Sequence, residues 1–246
     1  MEKRKRFYVE PESVAGDTVT VTGSEYNHIV NVMRQKVGDS VVLCTGDGVD
    51  LYATLTAVER SAVCFRIEER LPNPNEAQIE LTAFLAALKG DKLEYSVQKV
   101  SELGAAAVVP FYSRYTVAKN VKVDRLQKIA VESAKQCQRS RILKVHEALS
   151  LPCILEMFNQ FDVVLFACEF ERERDIKSVL NGLKRPERIA VVVGSEGGFS
   201  EEEYEKIVQA GAIPVSLGGR ILRAETAAVT MASIVMYHFD QMGKPQ

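Results

Sequence analysis

Four stretches of this chain, residues 79–88, 106–109, 163–167 and 189–193, are apolar almost without interruption. Short runs of that kind fit strands covered on both faces, the environment of a parallel sheet between two helical layers. Helical periodicity falls between and after them, over 92–103, 123–138, 201–210 and 224–239. Strand followed by helix, repeated, predicts an α/β domain with a mostly parallel sheet. No internal repeat of fixed period is present.

The first 72 residues have a different grammar. Apolar positions alternate in Thr18-Val19-Thr20-Val21, Ser40-Val41-Val42-Leu43-Cys44 and Ala62-Val63-Cys64-Phe65-Arg66-Ile67, with Gly-Asp turns at Gly16-Asp17, Gly38-Asp39 and Gly46-Asp47-Gly48. Period 2 with such turns predicts a small barrel or sandwich. One helix interrupts it, with Ser24 as its expected N-cap and His28, Ile29, Val32 and Met33 at helical spacing. Leu71-Pro72-Asn73-Pro74-Asn75-Glu76 has no apolar periodicity, which places the boundary between a domain at 1–72 and another at 73–246. A chain of 246 residues has room for both.

Several function classes are disfavoured. No apolar run reaches the roughly 20 residues of a membrane span, and the basic N-terminus leads into no signal-peptide core. Five cysteines without a Cys-x-x-Cys pair suggest reduced thiols, and three scattered histidines offer no metal-ligand spacing, so a metal-free cytoplasmic protein is expected. The net charge of −2 hides a basic segment: residues 114–144 hold nine Lys or Arg against two acids, a local +7. That distribution suits either a solvated helix face or a limited RNA footprint.

The sharpest local feature is Val193-Gly194-Ser195-Glu196-Gly197-Gly198-Phe199-Ser200-Glu201-Glu202-Glu203. A buried strand enters a glycine-rich turn, and a Ser-x-x-Glu capping box, Ser200 to Glu203, starts the next helix. Ligands of open α/β sheets bind at the carboxyl ends of strands, where this turn lies. It lacks the Gly-Lys-Ser/Thr and Gly-x-Gly-x-x-Gly patterns, and Glu196 with three more glutamates would repel a pyrophosphate. The turn suits a neutral or cationic ligand, or serves only as a tight strand-to-helix connection. After the next strand, expected over 212–217, comes Gly218-Gly219-Arg220-Ile221-Leu222-Arg223-Ala224-Glu225. An arginine at a helix start opposes the macrodipole, so Arg223 calls for another reason to be there.

Gly194-Ser195-Glu196-Gly197-Gly198-Phe199-Ser200 and Leu217-Gly218-Gly219-Arg220-Ile221-Leu222-Arg223-Ala224-Glu225-Thr226-Ala227 resemble two signature loops of the RsmE family, 16S ribosomal RNA uridine-N3 methyltransferases of the SPOUT class. The resemblance extends to Arg6-Phe7-Tyr8-Val9, His28-Ile29-Val30-Asn31-Val32-Met33-Arg34, Lys89-Gly90-Asp91-Lys92, Gln98 to Gly104, and Gln136-Cys137 with Arg139. Ser195 stands where the family usually has Pro, and Lys135 where it has Glu.

The resemblance implies a PUA-like β-barrel that helps to bind RNA, followed by a parallel α/β domain threaded into a trefoil knot. It implies S-adenosylmethionine as cofactor, leaving as S-adenosylhomocysteine, held by Ala167, Glu169, Val193, Gly194, Glu196, Gly197, Leu217, Gly218, Ile221, Leu222 and Thr226. Apolar walls suit an adenine, and a sulfonium tolerates nearby carboxylates. Methylation at uracil N3 needs a stabilised uracil anion or a base, for which Arg223 and Glu225 are the candidates. Arg6, Arg34, Arg139 and Arg141 are expected on phosphates, with His28 and Gln136 on base or sugar. The expected partners are 16S rRNA, within the small ribosomal subunit, and a second copy of the chain. Two other readings stay open: a non-enzymic RNA-binding module, and a knotted methyltransferase acting on tRNA or a ribose 2′-hydroxyl.

Overall fold

A computed structural model describes residues 4–242, which divide into two compact units. The first comprises the chain up to Glu76 together with Ala134–Ile142. The second comprises Ala77–Ser133 and the chain from Leu143 onward.

The first unit is built on β1 (Lys5–Tyr8), β2 (Val14–Ala15), β3 (Thr18–Thr22), helix α1 (Gly23–Asn27), β4 (Ser40–Cys44), β5 (Val49–Val58) and β6 (Ala62–Pro72). Its six strands run in the order β1-β4-β5-β6-β3-β2, antiparallel except for the β1–β4 pair. The alternation seen in the sequence supplies the core: Val19, Val21, Val41, Leu43, Val63 and Phe65 are buried together with Phe7, Ile29 and Leu55. Ser24 is not the N-cap expected of it. Helix α1 starts two residues earlier than that cap would place it, at Gly23, after an extended Thr22 that makes no side-chain cap, and continues into one turn of π-helix over His28–Val32.

The second unit contains β7 (Glu80–Ala86), α2 (Lys92–Glu102), β8 (Ala107–Tyr112), α3 (Val123–Cys137), β9 (Lys144–Val145), β10 (Leu149–Ser150), α4 (Leu151–Glu156), β11 (Val163–Ala167), α5 (Ile176–Asn181), β12 (Arg188–Val193), α6 (Glu201–Gln209), β13 (Ile213–Val215) and α7 (Ala224–His238). The last residues of α3 belong to the first unit. Seven strands form one sheet, all paired in parallel, in the order β10-β8-β7-β12-β11-β13 with β9 beside β8.

Both faces of this sheet are covered, which explains the apolar runs. Along β7, Leu81, Ala83 and Leu85 join a core with Met231 and Val235 of α7, while Phe84 and Ala86 point the other way, into a core with Ile154 of α4 and Ile207 of α6. Successive strand residues alternate between faces, so a strand covered twice is apolar at nearly every position, with Thr82 the polar exception within β7. Helix α7 buries Ala227, Ala228, Met231, Ala232, Val235 and Met236 within the unit.

Candidate functional site

Strands β11, β12 and β13 are neighbours in the sheet and all parallel, so their carboxyl ends, and the loops that leave them, lie side by side. Those loops enclose a cavity of about 730 Å³, lined by Ala167 and the residues after it, by Val193, Gly194, Ser195, Glu196 and Gly198, and by Ser216 through Ala224. This is where parallel α/β sheets collect ligands.

The loop after β12 is shaped by close approaches. A Cβ on Gly194 would stand 2.6 Å from Cε2 of Phe199. That ring is not free to retreat, since it packs edge-on against Phe166 at 5.0 Å and stacks near Phe111 at 6.2 Å. Gly197 meets Tyr115 in the same way, and Gly198, at φ +66, lets the Glu169 carboxylate come within 2.7 Å of where a Cβ would be. The backbone N–H of Gly198 donates to the Ser195 carbonyl at 2.9 Å and closes the turn. The expected capping box is present: the Ser200 hydroxyl accepts from the Glu203 N–H, and the Glu203 carboxylate accepts from the Ser200 N–H. Glu203 also accepts from the Arg114 N–H at 2.7 Å, which ties the loop after β8 to the start of α6.

The loop after β13 is the opposite case. Nothing lies within 4 Å of a Cβ built on Gly218 or Gly219, so these glycines face open space. Leu217 and Leu222, both partly buried, pack on the core, while Ile221 is 86% exposed and forms rim rather than wall.

Charge in the cavity lining is mixed, with Lys92, Arg172, Arg220 and Arg223 beside Glu169, Glu171, Asp175 and Glu196. Glu196 accepts from the Lys92 ammonium at 3.1 Å and from the Lys89 N–H at 3.3 Å. Partial burial raises its pKa, but its own backbone N–H, Lys92 and Lys89 outweigh that and hold the carboxyl below its ordinary value. The Ser195 hydroxyl is buried without a hydrogen-bond partner, and so is one carboxylate oxygen of Glu225. Buried polar atoms are seldom left that way. The volume, apolar walls and few convergent polar groups fit a ligand of S-adenosylmethionine's size. Among the described residues no group of three His, Cys, Asp or Glu could hold a metal ion.

The cavity brings together Ala167, Glu169, Val193, Gly194, Glu196, Leu217, Gly218, Ile221, Leu222 and Arg223 from the residues singled out in the sequence. Gly197, Glu225 and Thr226 do not line it. Arg223 is the N-cap of α7, exposed and without an acidic partner among the described residues. Sequence reasoning passed over Phe170, Arg172, Asp175 and Tyr204, which also line the cavity. The one signal for the loop that carries three of them was Asp175, whose carboxylate accepts from the Ser178 N–H at 2.9 Å and caps the short helix α5.

The six residues expected on RNA all fall in the first unit. His28, Arg34 and Gln136 are exposed. Arg6 and Arg139 are placed differently from what a phosphate contact needs. The Arg6 guanidinium pairs with both oxygens of Asp50, at 2.6 and 2.8 Å, and also donates to the Ser140 hydroxyl. Burial alone would lower its pKa, yet the hydrogen bond to Asp50 and the neighbouring Cys44 leave it above the ordinary arginine value. Arg139 is 4% exposed and donates from Nε to Glu76 at 3.0 Å. Glu76 also accepts from the backbone N–H groups of Ser140 and Arg141, at 2.7 and 2.8 Å, and Tyr8 donates to the Arg139 carbonyl. These arginines lock residues 139–141 onto β1 and β5, a structural task that their basic character did not reveal.

Comparison with known proteins gives a consistent picture. A family model described as an RNA methyltransferase domain matches residues 75–236, and one described as an RNA methyltransferase PUA domain matches residues 21–68. The chain is 31% identical over 249 residues to ribosomal RNA small subunit methyltransferase E of Bacillus subtilis, covering 96% of this chain and 97% of that protein. It is 33% identical over 233 residues to the protein of the same name from Mesomycoplasma hyopneumoniae, covering 93% of each. Among solved structures, a ribosomal RNA small subunit methyltransferase E from Neisseria gonorrhoeae bound to S-adenosyl methionine superimposes with a TM-score of 0.82 at 26% identity, covering 96% of this chain and 98% of that one.

Proposed function

The chain belongs to the family of ribosomal RNA small subunit methyltransferase E, and from that premise we propose that it transfers the methyl group of S-adenosylmethionine to N3 of a uridine in 16S rRNA. The observation that carries the proposal is the cavity at the ends of β11, β12 and β13, which gathers residues of both glycine loops. The cofactor residues are then the cavity-lining members of the set named from sequence, apart from Ile221 on the rim, with Gly197 acting through its packing on Tyr115.

When bound, S-adenosylmethionine supplies an electrophilic methyl group on a cationic sulfur. The N3 nitrogen must lose its proton as the new carbon–nitrogen bond forms and the carbon–sulfur bond breaks. Arg223, exposed at the cavity and free of an acidic partner, is positioned to offer its planar donors to the carbonyl oxygens on which the uracil anion's charge collects. Glu225 follows two residues later but does not line the cavity, and one of its oxygens is buried, which suits orienting Arg223 better than taking the N3 proton. Exposed His28, Arg34 and Gln136 of the first unit, with Arg141, would position the RNA.

The remaining expectations carry over as part of the same proposal: a threaded C-terminal segment, a cytoplasmic location, an assembled small subunit as substrate, and a homodimer. For the homodimer, the apolar side of α7 is already used inside the unit, which leaves Tyr237 of α7 and Tyr95 of α2, 76% and 47% exposed, as the face for a second copy. Among the described residues, no helix is long and apolar enough to cross a membrane.

The deciding experiment is transfer of a labelled methyl group from S-adenosylmethionine to small ribosomal subunits from cells lacking the modification, followed by nucleoside analysis. N3-methyluridine is the expected product. A 2′-O-methyl nucleoside, or transfer to tRNA alone, would overturn the assigned acceptor, and absence of cofactor binding would leave only an RNA-binding module.

A further inference from the structure

Large apolar side chains left in water are ordinary when single. In the second unit Phe170 is 62% exposed and Ile221 is 86% exposed, and both border the cavity, although they come from different loops, one after β11 and the other after β13. Neither belongs to the core clusters that hold Leu217 and Leu222 in place. A uridine that reacts at N3 exposes its Watson–Crick edge by leaving its stack, and the lost stacking is replaced by flat apolar surface on the protein.

The charge around these two side chains differs sharply between the loops. Residues 168–175 carry Glu169, Glu171, Glu173 and Asp175 beside Arg172 and Arg174. Two of these acids serve the loop itself: Glu171 accepts from the N–H groups of Glu173 and Arg174, and Asp175 caps α5. Residues 216–223 contain no acid and two arginines. Arg220 borders the cavity next to Ile221, exposed and without an acidic partner among the described residues. A phosphodiester backbone is therefore favoured along the 216–223 side, with a base reaching across to Phe170.

We propose that Phe170 and Ile221 form an RNA subsite at the cavity mouth that holds an unstacked base, with Arg220 on the adjoining phosphate. This subsite rests on the RNA methylation proposed above and adds a contact to RNA made by the second unit itself. Its chemistry is sequence-tolerant stacking joined to one phosphate contact.

Two variants of the full chain test it, both at exposed positions. For Phe170→Ala, kcat/KM for small subunits should fall by about tenfold, the scale of one lost base stack, while the Kd for S-adenosylmethionine stays within about twofold. Phe170→Trp should restore most of the loss, which a merely structural role would not. For Arg220→Ala, the slope of log binding constant against log salt, measured with a 16S rRNA transcript in the presence of S-adenosylhomocysteine, should lessen by about one. A Phe170→Ala enzyme with unchanged kcat/KM, or one whose loss is matched by lost cofactor affinity, overturns the stacking subsite. An unchanged salt slope overturns the phosphate contact. Wild-type protein that methylates no RNA overturns the function, and this subsite with it.

Discussion

In the first unit the half-buried Arg6 and the buried Arg139 pair with Asp50 and Glu76, whereas in the second Arg220 and Arg223 stand exposed at a cavity with no acidic partner among the described residues. The same contrast holds for neutral polar groups. The Ser140 hydroxyl is bonded to Arg6, Asp50 and Asn73, while the Ser195 hydroxyl is buried with nothing to bond. A buried charge must be matched inside the fold, because the interior offers no water to replace a lost partner. A group meant for a ligand is left unmatched until the ligand arrives. Satisfaction, rather than residue type, separates the structural arginines from those available to substrate.

Breaking the matched side should have the largest effect. Replacing Arg139 by Ala removes the cation from the Glu76 carboxylate, 10% exposed, leaving it only the Ser140 and Arg141 N–H groups, and should lower unfolding free energy by about 3 kcal/mol in a urea titration. Replacing both members with apolar residues of similar volume should recover much of that loss. On the unmatched side the signature reverses. Arg223→Ala should leave the urea midpoint and cofactor affinity near wild type while kcat for methyl transfer falls by roughly 10²–10³. A large loss of stability in that variant would erase the distinction between the two sets.

Gly194→Ala probes the boundary between packing and site. Its Cβ would press on a Phe199 ring already held by Phe111 and Phe166, at a cost of about 1–3 kcal/mol in stability together with weaker cofactor binding. The smallest effect concerns pH. Glu196 has a folded pKa below its unfolded value, so its contribution is fully present above the ordinary carboxylate range and is lost only as pH falls through the lower folded value. Cofactor affinity followed by calorimetry should stay flat on acidification through the ordinary glutamate range and decline only below it. Glu196→Gln should remove the decline, and added salt should shrink it, since the Lys92 pair is partly exposed.

The elements that could be read directly were those whose own residues meet a covered or half-covered surface. Strand β11 was legible to the residue, and β12 to within one, because their central positions are covered on both faces, the residue missed being the exposed Arg188. Strand β5 was not, although Val49, Leu51, Ala53 and Leu55 alternate with Asp50, Tyr52 and Thr54; Asp50 on the polar phase is buried by its pairing with Arg6, and two register shifts against β6 change the strand's phase. Helices α4 and α5, six residues each, are too short to show a period. In the site, the two glycine loops were visible as motifs, while Phe170 and Arg172 sit in a loop with no pattern of its own.

The sequence by itself determined the change from alternating to contiguous apolar strands, the capping box at Ser200, and two glycine loops following late strands. These are local properties, set by the covering of a strand's faces and by the backbone a turn requires. The tertiary structure alone decided that β11, β12 and β13 stand side by side, so that three loops separated along the chain enclose one cavity. It also decided that Ala134–Ile142 joins the N-terminal unit, where Arg139 meets Glu76 across 63 positions of sequence. Whether a charge is matched depends on what the fold brings to it from elsewhere in the chain, and sequence spacing carries no record of that.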